Sequence, residues 1–361
     1  MSIRDTKVTF APPKHGPRIL SVGTANPPDI YKQEEVLKLF NETRPKVVNL
    51  FKSVDIKTRR LYMPDPVEEG FPVESNEELL AKHKRGVLDI GPKAVEDCLT
   101  PLGLSAYDID FLCCLSSTGF LCPGISAHLS KEMGFRENVH RVDILGMGCN
   151  AGLNGLQPVV NFARSNPGKL GLLVCAEICS AAYVYDKKIN TAVVNSLFGD
   201  GVGAAVVRYD ESDTWESGPI VVGFESHVAT DAIDAMRFEL EGGKFAFYLE
   251  RDIPYVIGAN IAKPVNRLLG RYRLKRRHVD HWIVHGGGKK VIDAIEYNLG
   301  ITDHDMRHTH SVMQNFGNLS SGSFIFSFKE LCREQIATQG DLGVIVTMGP
   351  GTSIESALIS W

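Results

Sequence analysis

Apolar residues fall along the chain in short dense blocks rather than in strict alternation with polar ones. Such blocks occupy 18–24 (RILSVGT), 109–118 (IDFLCCLSST), 170–176 (LGLLVCA) and 203–208 (GAAVVR). Four more lie at 219–226 (PIVVGFES), 281–285 (HWIVH), 343–348 (GVIVTM) and 354–361 (IESALISW). Each has the length of a strand and is rich in Val, Ile, Leu or Cys, which predicts strands covered on both faces. Helical patterns stand between them at 75–87, 151–164, 255–270, 289–298 and 321–334. The first opens Ser75-Asn-Glu-Glu78, a capping box that satisfies the free N–H groups of a helix start. Strands alternating with helices predict an α/β fold with mainly parallel sheets.

The order of elements repeats loosely. A strand followed by a helix that opens at a Gly-rich turn occurs around 144–155 and again around 282–296. Each half then closes with a Gly-rich turn expected between two strands, at 199–203 (GDGVG) and 349–351 (GPG). The pattern predicts a duplicated architecture with an N-terminal half over 1–215 and a C-terminal half over 216–361. No sequence identity between the halves is visible.

Composition changes this picture little. Of 361 residues, 43% are hydrophobic and 23% charged, enough to bury a core without a disulfide or metal staple. A net charge of −4 argues against nucleic acid as the main partner. The opening MSIRDTKVTFAPPKHGPR lacks the apolar run of a signal peptide, and no segment approaches the ~20 apolar residues of a membrane span. The eight cysteines (98, 113, 114, 122, 149, 175, 179 and 332) read as buried thiols of a reducing compartment, so the expected location is the cytoplasm. Two glycosylation-like tripeptides, at Asn41 and Asn318, are then incidental.

Three residues stand out for chemistry. Cys149 lies in DILGMGCNAGLNGLQ, where a strand ends in glycines and a helix begins. The positive end of the helix dipole would lower its pKa and favour the thiolate; otherwise it is one more structural cysteine. His285 ends an apolar strand before three glycines, where ligand sites gather in α/β sheets, and is otherwise a core histidine. Asn318, in NFGNLSSGSF, offers an amide donor to an oxyanion, or else caps a turn. A metal site among His281, His285, His304, His308 and His310 is not expected, because the last three lie in a polar segment with no carboxylate or cysteine at ligand spacing. GMGCNAG, GDGVGAA and GGGKK each miss the full dinucleotide or phosphate-loop pattern, which disfavours NAD and ATP.

Taken together, GMGCNAGLNGL, WIVHGGG, NFGNLSSGSF and MGPG resemble the type III polyketide synthases, the chalcone synthase superfamily. The histidine follows the cysteine by 136 positions (285 − 149) and the asparagine follows the histidine by 33 (318 − 285). The resemblance runs from VGTANPP to the final ESALISW and implies a layered α-β-α-β-α thiolase-like fold, a homodimer and no cofactor beyond coenzyme A thioester substrates. It implies that Cys149 carries the acyl chain and that His285 and Asn318 bind the malonyl-CoA thioester carbonyl and its decarboxylated enolate. Phe198 in SLFGDG and Phe247 in KFAFYLERDIP match aromatic gatekeepers, and Lys52 in FKSVDIKTRR resembles a CoA-phosphate contact. Thr118 in STGFLCPG and Ser320 in GNLSSGSF belong to the implied substrate-binding set.

The chain departs from the plant pattern. Thr347-Met-Gly-Pro-Gly351 replaces the Gly-Phe-Gly-Pro-Gly stretch of plant members. Ala182 stands for a cavity-narrowing threonine and Cys122 for a methionine that reaches into the partner subunit. STGFLCPG, AVVNSLFGDG, DAMRF and TMGPG look most like the bacterial 3,5-dihydroxyphenylacetyl-CoA synthase branch, which uses malonyl-CoA as starter and extender. A pyrone or alkylresorcinol synthase with an acyl-CoA starter, a single-condensation ketoacyl synthase and a non-catalytic thiolase-like subunit are the competing expectations. The chemistry itself is economical: loss of CO2 makes a carbanion without a strong base, and a histidine and an amide stabilise its enolate.

Overall fold

The protein is described here from a computed structural model covering residues 13–64, 72–182, 184–241 and 244–361. Most of the opening segment read for a leader, residues 1–12, lies outside the described residues, as does Tyr183.

The chain begins with β1 (Arg18–Ala25), β2 (Ile30–Lys32), α1 (Gln33–Leu39), α2 (Pro45–Ser53) and β3 (Thr58–Arg60). It continues through α3 (Asn76–Leu99), β4 (Phe111–Leu115), α4 (Ile125–Met133), β5 (His140–Ile144) and α5 (Ala151–Ser165). Then come β6 (Leu170–Glu177), α6 (Ile189–Leu197), β7 (Gly201–Arg208), β8 (Ile220–Val228) and the hairpin β9 (Met236–Glu241) with β10 (Lys244–Leu249). The remainder is α7 (Ile253–Arg271), β11 (His281–Val284), α8 (Lys289–Leu299), α9 (Arg307–Phe316), α10 (Ser323–Glu334), β12 (Leu342–Gly349) and β13 (Ser353–Ser360).

All eight strands and five helices expected from the apolar blocks are present, within a few residues at their ends except for α3, which runs on to Leu99. The Ser75 box forms as predicted: Glu78 N–H donates to Ser75 Oγ at 3.2 Å, and Ser75 N–H donates to Glu78 Oε2 at 2.7 Å. Elements without a dense apolar block went unread, among them the exposed edge strand β5 and the β9–β10 hairpin.

Nine strands form one sheet in the order β11-β12-β13-β8-β1-β7-β6-β4-β5. The expectation of mainly parallel pairing fails. Only β11–β12, β4–β5 and β4–β6 are parallel, and the other five pairings are antiparallel. Burial on both faces is what makes a strand continuously apolar, and here antiparallel strands are covered on both faces too. Gly349-Pro-Gly351 does turn between two strands, but Gly199 and Asp200 join a helix to a strand, with Gly201–Gly203 inside β7. The glycines there belong to pairing rather than to a hairpin.

The sheet repeats itself. β4 is parallel to β6, which is antiparallel to β7, itself antiparallel to β1. β11, β12, β13 and β8 follow the same sequence of pairings. The two series join where Arg18 of β1 pairs with Ile220 of β8.

Side chains alternate between layers. Cys113 and Leu115 of β4 meet α5 and α10 in a central core that also holds Ile283, Ile345 and Ala357 of the second series. Leu112 and Cys114 point the other way, to α3 and α4. Trp282, Val284, Val344 and Val346 pack outward on α7 and α8. The result is α-β-α-β-α, with the helices that follow Cys149 and Asn318 at the centre. No helix among the described residues is long and apolar enough to cross a membrane.

Candidate active site

The β5 chain runs out at Ile144 and turns at Gly146 and Gly148, with φ of 78° and 63°. A single 3-10 turn over Gly148–Asn150 then feeds α5. A Cβ at Gly148 would lie 2.2 Å from Cδ of Pro350, so both the backbone twist and the closeness of the Gly-Pro-Gly turn demand glycine here. This turn carries Cys149 into the interior, 6% exposed, where it accepts a hydrogen bond from Ser320 Oγ at 3.5 Å.

The thiol departs from expectation. Burial pushes it up to about 12, and the Ser320 hydroxyl is the main influence pulling down. Removing a thiolate from water costs more than the short 3-10 turn before the helix returns, so the resting group is a thiol.

His285 extends the β11–β12 pairing by one step, its N–H donating to Val346 O at 2.9 Å. Its ring is buried with Nδ1 unpartnered among the described residues, and burial holds it down at about 4, as a neutral imidazole. β12 links it to Cys149: a Cβ on its last residue, Gly349, would lie 2.7 Å from Asn150 N and 3.0 Å from Cys149 N.

Asn318 follows α9 and pairs with Phe198 at the end of α6 through an isolated bridge. Its Oδ1 accepts from Ser320 N–H at 2.8 Å. That fixes the amide so that its NH2 remains to donate. Ser320, at φ 50°, thus contacts both Asn318 and Cys149. Phe198 and Phe247 meet edge to face, centroids 5.9 Å apart, and Phe238 packs on Phe247 at 5.0 Å.

Thr118 and Ala182 line a cavity of about 740 Å³ together with Gly148, Met236, Phe238 and Pro350. Cys122 is exposed and stands apart from the cavity lining, and Lys52 is exposed in the last turn of α2.

Two groups went unread in the sequence. Phe238 completes the aromatic cluster. Glu177, at the end of β6, is fully buried and accepts from Ser117 N–H and Thr118 Oγ at 2.9 Å and from Ser321 Oγ at 2.5 Å. Burial nevertheless raises its pKa above the ordinary carboxylate value. A lone acid closing the apolar run LGLLVCAE was the available signal.

The reason given against a histidine metal cluster also needs correction. Carboxylates do stand beside these rings, brought from other elements: Asp341 at 2.9 Å from His281, Glu334 at 3.1 Å from His308, and Glu296 at 2.8 Å from His310. Asp303, only seven residues before His310, also comes with Glu296 to within 4.8 Å of that ring.

A buried cysteine at the head of a central helix, a histidine and an asparagine at strand and helix ends, and a cavity that reaches Gly148 beside the cysteine define a thiolase-fold condensing enzyme. The chain belongs to the chalcone and stilbene synthase family: the N-terminal domain of that family matches residues 7–211 and the C-terminal domain residues 228–360. It is a type III polyketide synthase. It is 46% identical to a 3,5-dihydroxyphenylacetyl-CoA synthase of Streptomyces toyocaensis, over 97% of this chain and 91% of that protein. A 1,3,6,8-tetrahydroxynaphthalene synthase of Streptomyces peucetius is 28% identical over 96% of this chain and 93% of its own length. Among solved structures, PKS-I of the brown alga Ectocarpus siliculosus superposes with a TM-score of 0.88 at 26% identity, covering 96% of this chain and 99% of that one.

Proposed function

We propose that this enzyme builds a polyketide on Cys149 from malonyl-CoA used as both starter and extender, then cyclises it, as a 3,5-dihydroxyphenylacetyl-CoA synthase does. The reading is supported above all by one contact set: Ser320 touches both Cys149 and Asn318, and Gly148, next to Cys149, lines a cavity of about 740 Å³. The 46% identity to relatives of that name supports the product class.

Neutral His285 takes the proton of the Cys149 thiol, so the thiolate arises only together with a cation that offsets its burial. The thiolate attacks the starter thioester and CoA leaves. A bound malonyl-CoA then loses CO2, and the electron pair of the broken bond moves to the thioester oxygen. Asn318 Nδ2 and His285 donate to that enolate oxygen. The enolate carbon attacks the acyl carbonyl on Cys149, and the thiolate departs. Phe198 and Phe247 close the passage to water, while Thr118 and Ala182 shape the growing chain. Glu177, one hydroxyl away from the cavity, accepts from Thr118 Oγ and so fixes that side chain in the cavity wall. Lys52 contacts CoA phosphate at the rim. No cofactor beyond CoA thioesters is required.

We also place the boundary of the two halves at 215/216, supported by the repeated strand pairing. Second copies join through the β5 edge: His140–Asp143 are exposed there, as are Phe120 and Cys122 nearby in the β4–α4 connection, and Cys122 thereby reaches the partner. Eight unpaired cysteines support a cytoplasmic location.

The test is malonyl-CoA alone, with no carrier protein, followed by mass spectrometry of products. A cyclised polyketide supports the proposal. A requirement for an acyl-CoA starter points to the pyrone or alkylresorcinol reading, and a requirement for carrier protein to a ketoacyl synthase. His285→Ala and Asn318→Ala should each cut CO2 release roughly a hundred- to thousandfold. Wild-type release from both would overturn the assigned roles.

A further inference from the structure

β3 is three residues long and pairs only with β2, yet it carries Arg59, 2% exposed and with no carboxylate at ion-pair distance among the described residues. Its guanidinium is directed at carbonyls. Nη1 donates to Asn195 O at 2.6 Å and to Phe198 O at 2.8 Å, and Nη2 to Gln33 Oε1 at 2.8 Å. Gln33 in turn donates to Ser196 O at 2.8 Å. Asn195, Ser196 and Phe198 form the C-terminal end of α6, whose carbonyls have no helical N–H left to receive. A cation there also meets the negative end of the helix dipole. Burial lowers Arg59 only to about 10, so it remains charged at neutral pH.

The segment entering and forming β3 closes a second helix end. Lys57 N–H donates to Gln314 O at 2.7 Å and Thr58 Oγ to Asn315 O at 2.9 Å, both in the last turn of α9. These two helix ends deliver Phe198 and Asn318, and they are bonded to each other. Asn318 N–H donates to Leu197 O at 2.8 Å, and Gly199 N–H to Asn318 O at 3.0 Å. Between α9 and Asn318 sits Gly317, at φ 75°. A Cβ there would lie 2.6 Å from Leu197 O and 3.0 Å from Cδ of Arg59, so the arginine stem packs directly against the residue preceding Asn318.

We infer that Arg59 is a positioning residue for the condensation, holding the ends of α6 and α9 so that Asn318 and Phe198 keep their places beside Cys149. The inference rests on the proposed role of Asn318 as a donor to the enolate. The buried Asp200 raises the Arg59 pKa from beyond ion-pair distance, and the guanidinium itself is held by neutral acceptors: a fork can reach two carbonyls and Gln33 at once, which a compact ammonium cannot.

The experiment compares Arg59→Lys in wild-type and Asn318→Ala backgrounds, reading CO2 release from malonyl-CoA and iodoacetamide labelling of Cys149. A misplacement of about 1 Å can cost on the order of a hundredfold, so kcat should fall roughly ten- to hundredfold. KM for malonyl-CoA should change far less than kcat, because the Asn318 contact strengthens as charge develops on the enolate oxygen. Cys149 labelling should be unchanged. In the Asn318→Ala background the same substitution should add little further loss of CO2 release, since Asn318, the positioned group that donates to the enolate, is gone. Equal losses in both backgrounds, or Cys149 labelling that falls in step with CO2 release, would overturn the inference. Should Arg59→Lys not fold, Gln33→Leu removes the Ser196 contact and keeps the cation; its smaller loss must also vanish in the Asn318→Ala background. If Asn318→Ala alone leaves CO2 release intact, the reading of the reaction fails instead. A crystal structure of Arg59→Lys then decides the clamp by itself: Asn318 and Phe198 displaced with Cys149 in place supports it, and both unmoved refutes it.

Discussion

Cys149 and Ser320 show how one contact can act on a buried thiol. The Ser320 hydroxyl is the leading influence that lowers a thiol otherwise raised by burial, so Ser320→Ala should slow acylation while leaving the fold intact. Intact-mass measurement of the acyl-enzyme checks this, with Cys149→Ala as the blank that never gains the adduct. Ala182 forms part of the cavity wall. Ala182→Thr should shorten or redirect the polyketide at an unchanged melting temperature and unchanged CO2 release; the same product from a destabilised enzyme would mean overpacking of about 1–3 kcal/mol instead. A third residue-scale outcome concerns acid. His83 is fully buried and held down at about 4, against an ordinary 6.5. A lowered folded value means that the unfolded chain takes up the proton first. Stability is therefore complete above pH 6.5 and is lost as pH falls towards 4, at about 1.4 kcal/mol per unit of difference. Urea midpoints of wild type and His83→Gln at pH 7 and pH 4.5 should show a shallower loss in the variant.

Helix α3 argues the same way at the level of elements. Its capping box was readable because Ser75 and Glu78 interact within a single turn, independently of the rest of the molecule. Ser75→Ala should cost ~0.5–2 kcal/mol in thermal stability. Because Asn76, Leu79 and Leu80 beside the box line the cavity, fraying of this turn should also alter the product profile; an unchanged profile at lowered stability would show that the cap acts on stability alone. Strand direction was not readable in this way. β6, β12 and β13 are each buried on both faces, and an apolar run carries no mark of which way its neighbour points.

For the whole molecule the exposed edge matters most. β5 ends the nine-stranded sheet with free hydrogen-bonding groups and with Val142, Leu145 and Met147 exposed on or beside it. An open edge of this kind invites a second copy. Light scattering at micromolar concentration should give a dimer, and Val142→Lys should shift it towards monomer; a monomeric wild type would contradict the assembly.

The strands and the main helices were legible because each signal is local: an apolar block, a cap, a glycine turn before a helix. Order and spacing of Cys149, His285 and Asn318 then sufficed for the family. Everything that depends on residues distant in the chain meeting in space lay beyond that reach. Glu177 becomes a buried acid only when Ser117, Thr118 and Ser321 converge on it from two other segments. Arg59 becomes a clamp only when α6 ends against it. The Cys149 thiol, expected from its place at a helix start to be acidic, is instead raised, because the desolvation imposed by the packed centre outweighs one turn of helix dipole.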